Sequence, residues 1–262
     1  MKYAIIIPDG AADEPLKELG GLTPIEAART PNMDRIAMEG RQGTARTVPQ
    51  GFESGSDVAT MSLLGYDPSV YHTGRAPLEA AAQKIPLAST DWVFRCNLVT
   101  TRDGLMKDHS AGGISNAEAS QLIHDLAKAI QIPGFEFHTG VSYRNLLVYR
   151  GKQDFEVATR PPHEIPEESA AKWAPKGKGA EILNQIMDRS KEVLANHPIN
   201  VARKAKGVNQ ATQIWLWGQG HAPAIPTFEK RFGIQSGCMI TGVDLLRGLG
   251  CCSTGTFTKW KE

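Results

Sequence analysis

The run Tyr3-Ala4-Ile5-Ile6-Ile7, stopped at once by Pro8-Asp9-Gly10, constrains this chain more than any other feature. An unbroken apolar stretch of that length, rich in β-branched residues and ended by turn formers, reads as a buried strand. Residues just past such a strand lie at its C-terminal end, where open α/β sheets gather their ligands. Thr30 to Gly40 then reads as a helix, with Thr30 as cap, Pro31 in the first turn and Gly40 just past the end. Strand, loop and helix in that order suggest a parallel α/β sheet.

Further elements follow from pattern. Val93 to Val99, Asn145 to Tyr149 and Ala211 to Trp217 read as strands, and Gly237 to Ile240 as a short one. Ser115-Asn116-Ala117-Glu118 is a capping box opening a helix to about Ile130, on which Leu122, Ile123, Leu126 and Ile130 recur at helical spacing. A second long helix runs from about Gly179 to Asn196, and Val243 to Leu249 could form a helical turn. Between the two long helices, Arg160 to Pro166 is too rich in proline for regular structure. The chain holds no internal repeat.

Charge and cysteine usage narrow the class. Lys and Arg number 29 against 28 Asp and Glu, a balance that argues against nucleic acid or an anionic membrane as bulk partner. Cys96, Cys238, Cys251 and Cys252 form neither a zinc spacing nor a disulfide framework, so reduced thiols in a cytoplasmic setting are expected. The apolar run at the start is too short for a signal-peptide core, and no stretch approaches membrane-spanning length.

Two short segments carry chemistry. In Gly51-Phe52-Glu53-Ser54-Gly55-Ser56-Asp57-Val58-Ala59-Thr60, Ser56 stands where a loop turns into a helix, and backbone N–H groups there favour an anion. Asp9 offers a carboxylate to a hard cation, which in turn activates a hydroxyl that is otherwise a poor nucleophile. Taken alone, plainer readings stand ahead: Pro-Asp-Gly is the composition of an ordinary turn, and Ser or Asp is the commonest helix cap. His109 lies in Lys107-Asp108-His109-Ser110-Ala111-Gly112-Gly113, a loop able to approach an anion closely, though equally a polar surface turn. His124 reads as a partly exposed helix residue. Arg75, Arg144, Arg203 and Arg247 are spread along the chain, and a guanidinium fork suits phosphate or carboxylate.

Several segments in order resemble one family. They include Ile6 to Pro15, Thr30 to Asp34, Gly55 to Ala59, Met61 to Pro68, Tyr71 to Ala80, Arg95 to Thr100, Gly140 to Arg144, Pro161-Pro162-His163 and Ile214 to Gly220. From Met1 to about Gly250 the chain is similar to archaeal-type 2,3-bisphosphoglycerate-independent phosphoglycerate mutase, in the alkaline phosphatase superfamily. The resemblance implies an alkaline-phosphatase-like parallel sheet with helices on both faces, plus an inserted α/β substrate domain. It divides the chain into residues 1–76, an inserted 77–225, and a return at 226–262. It implies a phosphoglycerate substrate whose phosphoryl group passes to Ser56 and back to the other hydroxyl. It implies two divalent ions (manganese, magnesium or zinc) with Asp9 and Ser56 among their ligands. His109, Arg144, Arg203 and Arg247 would contact substrate.

Three positions depart from the family pattern: Gly113 where a histidine is frequent, His221-Ala222 where a basic pair is usual, and Arg247 in place of lysine. The resemblance also implies a long later segment bearing most of the metal ligands. The expectation is that this chain stops before it, supplies only Asp9 and Ser56, and alone has little mutase activity. A homoserine-phosphorylating relative and a non-catalytic phosphoglycerate-binding module stand as alternatives.

Overall fold

The computed structural model describes residues 2–254 and the backbone of 258–259. Along the chain run helices α1 (Pro24–Ala27), α2 (Pro31–Glu39), α3 (Ser56–Leu63), α4 (Pro68–Tyr71) and α5 (Arg75–Ala82). Strands β1 (Trp92–Arg102) and β2 (Leu105–Asp108), helix α6 (Asn116–Ala129), then β3 (Phe135–Val141), β4 (Arg144–Tyr149) and β5 (Glu156–Ala158) follow. Next come α7 (Ala170–Trp173), β6 (Lys176–Lys178), α8 (Ala180–Ala195), α9 (Pro198–Ala205) and β7 (Gln213–His221). The last are α10 (Phe228–Phe232), β8 (Ile240–Thr241), α11 (Asp244–Thr254) and β9 (Thr258–Lys259).

The main sheet has five strands in the order β2-β1-β4-β3, with β7 pairing the other side of β1, and every pairing in it is antiparallel. Here the fold departs from the expected parallel sheet: the structure is mixed α/β, and the parallel pairing among the described residues is the short β8–β9 contact. Strand β1 is central, which explains its continuous burial. Alternate residues serve different layers, because successive side chains on a strand point to opposite faces. Phe94, Cys96 and Leu98 join Leu122, Leu126, Leu183 and Ile186 in the core under α6 and α8. Val93 packs instead with Leu146, Val148 and the α5 residues Ala76 and Ala80 on the other face.

Local signals in this region behave as their chemistry dictates. Ser115 Oγ accepts from Glu118 N while the Glu118 carboxylate accepts from Ser115 N, completing the capping box of α6. Gly179 enters α8 in the left-handed region at φ 88°, and a Cβ there would strike the Phe155 ring. The Pro-rich stretch holds only a 3-10 turn, Pro162–Glu164.

The N-terminal segment differs. Residues 3–7 do not form the expected strand: Tyr3 is 70% exposed and Ile6 85%. A strand needs a neighbour to satisfy its N–H and C=O groups, and this run has no strand partner among the described residues. Helix α2 begins at Pro31 as the sequence predicts, but the Thr30 hydroxyl donates to the Asp34 carboxylate instead of capping the helix. The expected strand at Gly237 to Ile240 is reduced to Ile240–Thr241.

Helix α5 lies between the sheet and α11. Leu78 faces Met61, Tyr66 and Leu249, and Gly248 comes so close that a Cβ would collide with the Leu78 carbonyl oxygen. Gly248→Ala is therefore expected to lower stability by about 1–3 kcal/mol in urea denaturation, as overpacking does. Gly242→Ala, whose added Cβ meets nothing within 4 Å, should stay within about 0.5 kcal/mol of the parent.

Candidate functional site

The hydroxyl and carboxylate singled out by sequence meet. Ser56 Oγ donates to Asp9 Oδ2 at 3.0 Å across 47 residues of chain, at the first residue of α3. Gly55 precedes the helix in extended conformation. Its neighbour Asp57 turns inward and is 1% exposed. Asp57 Oδ2 lies 2.7 Å from His72 Nε2 and 3.4 Å from Arg75 Nε. Burial alone would push the Asp57 carboxyl up, but the His72 hydrogen bond and the Arg75 charge outweigh it and hold the pKa below the usual range. A cavity of about 370 Å³ beside Asp9 is lined mainly by apolar residues such as Pro8, Ala11, Ile25 and Met33, with Asp13 and Thr30 as its polar side chains and no Lys or Arg among the described residues that line it.

A second cavity, of about 310 Å³, lies on the α5 side of the sheet and is lined by Arg95, Asn97, His109, Tyr143, Arg144, His163 and Trp217. Strand register assembles it. Arg95 and Asn97 sit two apart on β1; Asn97 is opposite Arg144 on β4, and Arg95 is opposite Trp217 on β7. Arg95 is 8% exposed and gripped twice by Glu79 of α5, Nη2 to Oε1 at 2.9 Å and Nε to Oε2 at 3.1 Å. Burial pushes the Glu79 carboxyl up, and the Arg95 charge opposes that. The Arg95 guanidinium stacks 4.3 Å over Trp217, whose indole N–H donates to Asn97 Oδ1 at 3.2 Å. Arg144 is exposed and lies 4.6 Å over Tyr143. Two arginines, two imidazoles and an indole share one concave space, and guanidinium groups suit anionic oxygens.

His109 reaches this cavity from a tightly wound loop. Asp108 accepts from Ser110 N at 2.8 Å and Gly112 N at 2.7 Å, while Ala111, Gly112 and Gly113 all take positive φ. Arg203 is not in the cavity. It is 6% exposed, and its nitrogens donate to Ala111 O, Asn209 O and the Glu118 carboxylate, so it braces the loop that carries His109. Arg247 is also elsewhere, paired with Asp244 on α11. His124 is exposed on α6.

The sequence offers Arg75 as one of several arginines suited to phosphate or carboxylate, but it assigns no site role to Asp57, His72, Arg95, Asn97, Tyr143, His163 or Trp217. One signal was present: a charge and an amide, Arg95 and Asn97, interrupt the apolar strand Val93 to Val99 two residues apart. A buried arginine needs a partner, which marks that strand as more than core.

His163 stands at the rim, 5.5 Å from the Trp217 ring and 5.9 Å from His109. Partial desolvation first, and then the positive charges of Arg75, His109 and Arg95, hold its imidazole below the usual 6.5. An NMR titration should find His163 half-protonated below pH 6.5, and Arg75→Ala should move that midpoint upward. A midpoint at or above 6.5 in the parent would contradict the electrostatic arrangement described.

The family model for 2,3-bisphosphoglycerate-independent phosphoglycerate mutase matches residues 37–200. A protein of that name from Methanosarcina mazei is 49% identical over 250 residues, which is 95% of this chain and 63% of that one. A Geobacter sulfurreducens protein described as a probable enzyme of the same kind is 48% identical, over 97% of this chain and 64% of that one. Among solved structures, a Pyrococcus horikoshii protein superposes with TM-score 0.69 at 27% identity, covering 96% of this chain and 59% of that one. The cofactor-independent phosphoglycerate mutase of Thermoplasma acidophilum gives TM-score 0.54 at 27% identity, over 96% and 68%. The chain thus spans about 63% of the length of the curated relatives it matches.

Proposed function

The chain belongs to the 2,3-bisphosphoglycerate-independent phosphoglycerate mutase family, and from that premise we propose that it binds phosphoglycerate and carries the serine that relays its phosphoryl group between the 3- and 2-hydroxyls. The observation that carries this reading is the 3.0 Å contact between Ser56 Oγ and Asp9 Oδ2 at the head of α3. The hydroxyl is directed by the carboxylate, and the helix N-terminus favours negative charge next to it.

In this reading Ser56 takes the phosphoryl group from one hydroxyl of the glycerate and returns it to the other. The basic cavity holds the rest of the substrate, with Arg144 and the Glu79-anchored Arg95 on its anionic groups and His109 and His163 beside its hydroxyls. The two acceptor hydroxyls sit on adjacent carbons, so the glycerate must be held while it reorients, which is work for positioning residues. The sheet-bearing segment inside 77–225 acts as the inserted substrate unit.

A divalent cation fits the donor chemistry at Asp9 and Ser56, since a carboxylate and a hydroxyl oxygen converge as hard ligands. Among the described residues no group of three or more His, Cys, Asp or Glu could hold a metal, so these two would be part of a larger ligand set. Bound there, manganese, magnesium or zinc would lower the serine pKa and neutralise phosphoryl oxygens. No helix among the described residues is long and apolar enough to cross a membrane.

Calorimetry with 3-phosphoglycerate tests the binding half. The parent chain should bind, and Arg144→Ala should weaken binding roughly tenfold, as loss of one charged contact does. Phosphopeptide mapping after incubation with manganese and 3-phosphoglycerate tests the relay; with only Asp9 and Ser56 of the ligand set among the described residues, trace phosphate is expected on Ser56 and none in Ser56→Ala. A parent chain that ignores 3-phosphoglycerate at millimolar concentration would sink the reading.

A further inference from the structure

Between the serine and the basic cavity stands one cation that neither region accounts for. Arg75 opens α5, and its guanidinium lies directly over Gly55, so close that a Cβ on Gly55 would collide with Nη2. On its other side its Cζ is 5.8 Å from the Trp217 ring, the wall of the cavity. Its side chain is 22% exposed. Among the described residues neither Nη1 nor Nη2 donates a hydrogen bond, and the one ion pair uses Nε.

We propose that Arg75 is the residue that grips the phosphoryl group at Ser56, and that Asp57 and His72 are the positioning residues that aim it; the proposal rests on the phosphoglycerate reading above. Asp57 Oδ2 stands 3.4 Å from Nε as an ion pair, which draws that edge of the guanidinium toward the carboxylate and leaves both terminal nitrogens to fork onto an oxyanion. His72 Nε2 holds the same carboxylate oxygen at 2.7 Å. Asp57 is 1% exposed, and its Oδ1 is buried with no hydrogen-bond partner, an unusual cost for a residue that only packs.

The backbone on both sides is cut to let this arginine in. Gly55 leaves the space its guanidinium fills. Gly74 takes φ 134° immediately before it, and a Cβ there would collide with the Gln219 carbonyl. Gly220 approaches the Thr73 carbonyl with the same intolerance, and Thr73 Oγ1 donates to His221 O at 2.8 Å. The start of α5 is thereby fastened to the end of β7, so Arg75 keeps its place relative to Trp217. This juncture joins a serine loop to a substrate cavity through one guanidinium.

Calorimetry on the full chain with three probes tests the assignment: 3-phosphoglycerate, inorganic phosphate and D-glycerate. Arg75→Ala should weaken both phosphate-bearing probes about tenfold or more and leave D-glycerate unchanged; Arg75→Lys should recover part of the loss. Asp57→Asn and His72→Gln should show the same probe-selective loss, several-fold in size, in protein whose thermal transition remains cooperative. A structural role alone would weaken all three probes together, and that result overturns the proposal, as does an unchanged phosphate affinity in Arg75→Ala. A parent chain that binds inorganic phosphate through Arg75 but not 3-phosphoglycerate would refute the phosphoglycerate reading and keep the arginine assignment.

Discussion

The buried pair of Glu79 and Arg95 is the contact on which the rest of this structure turns. An arginine in the central strand of an apolar sheet has no water to solvate it, and a single hydrogen bond would leave most of its donors stranded. Glu79 answers with two oxygens from α5. That grip sets the position of α5 along the sheet, because moving either element by one residue would leave two buried charges apart. Such a pair contributes more to specifying one arrangement than to net stability, since desolvation offsets most of its attraction.

From that fastening the working parts follow. Holding α5 against β1 and β7 lays Arg95 over Trp217, and the indole in turn ties to Asn97. The opposite side of α5 receives α11 at the bare Cα of Gly248 and the α3 region through Leu78 and Met61. One helix thus touches the sheet, the cavity and the serine-bearing segment. The first residue of that helix is Arg75, placed between Gly55 of the serine segment and the Trp217 ring.

The site was legible in part, and the parts differ in kind. Asp9 and Ser56 are short-range signals, a carboxylate in a turn and a hydroxyl at a helix start, and the structure brings the two side chains together. His109 and Arg144 meet in the cavity as well. Arg203 resembled a ligand-binding cation in sequence, yet each of its three side-chain nitrogens donates within the fold, to Ala111, Asn209 and Glu118. Nothing local distinguishes a bracing arginine from a binding one, because the difference lies in which carbonyls stand around it.

Sequence alone determined the elements whose causes are local. The Ser115–Glu118 capping box, the apolar stripe of α6, the extent of α8 and the strands at β1, β4 and β7 all came from patterns a few residues long. Tertiary structure decided how those strands pair, and it chose antiparallel neighbours from distant parts of the chain. It also left the isoleucine run at residues 5–7 uncovered, since an apolar run becomes a strand only when another strand lies beside it. The basic cavity belongs to the same category: burial, pairing and shifted pKa values arise from groups far apart in the chain that only the folded arrangement places within a few ångströms.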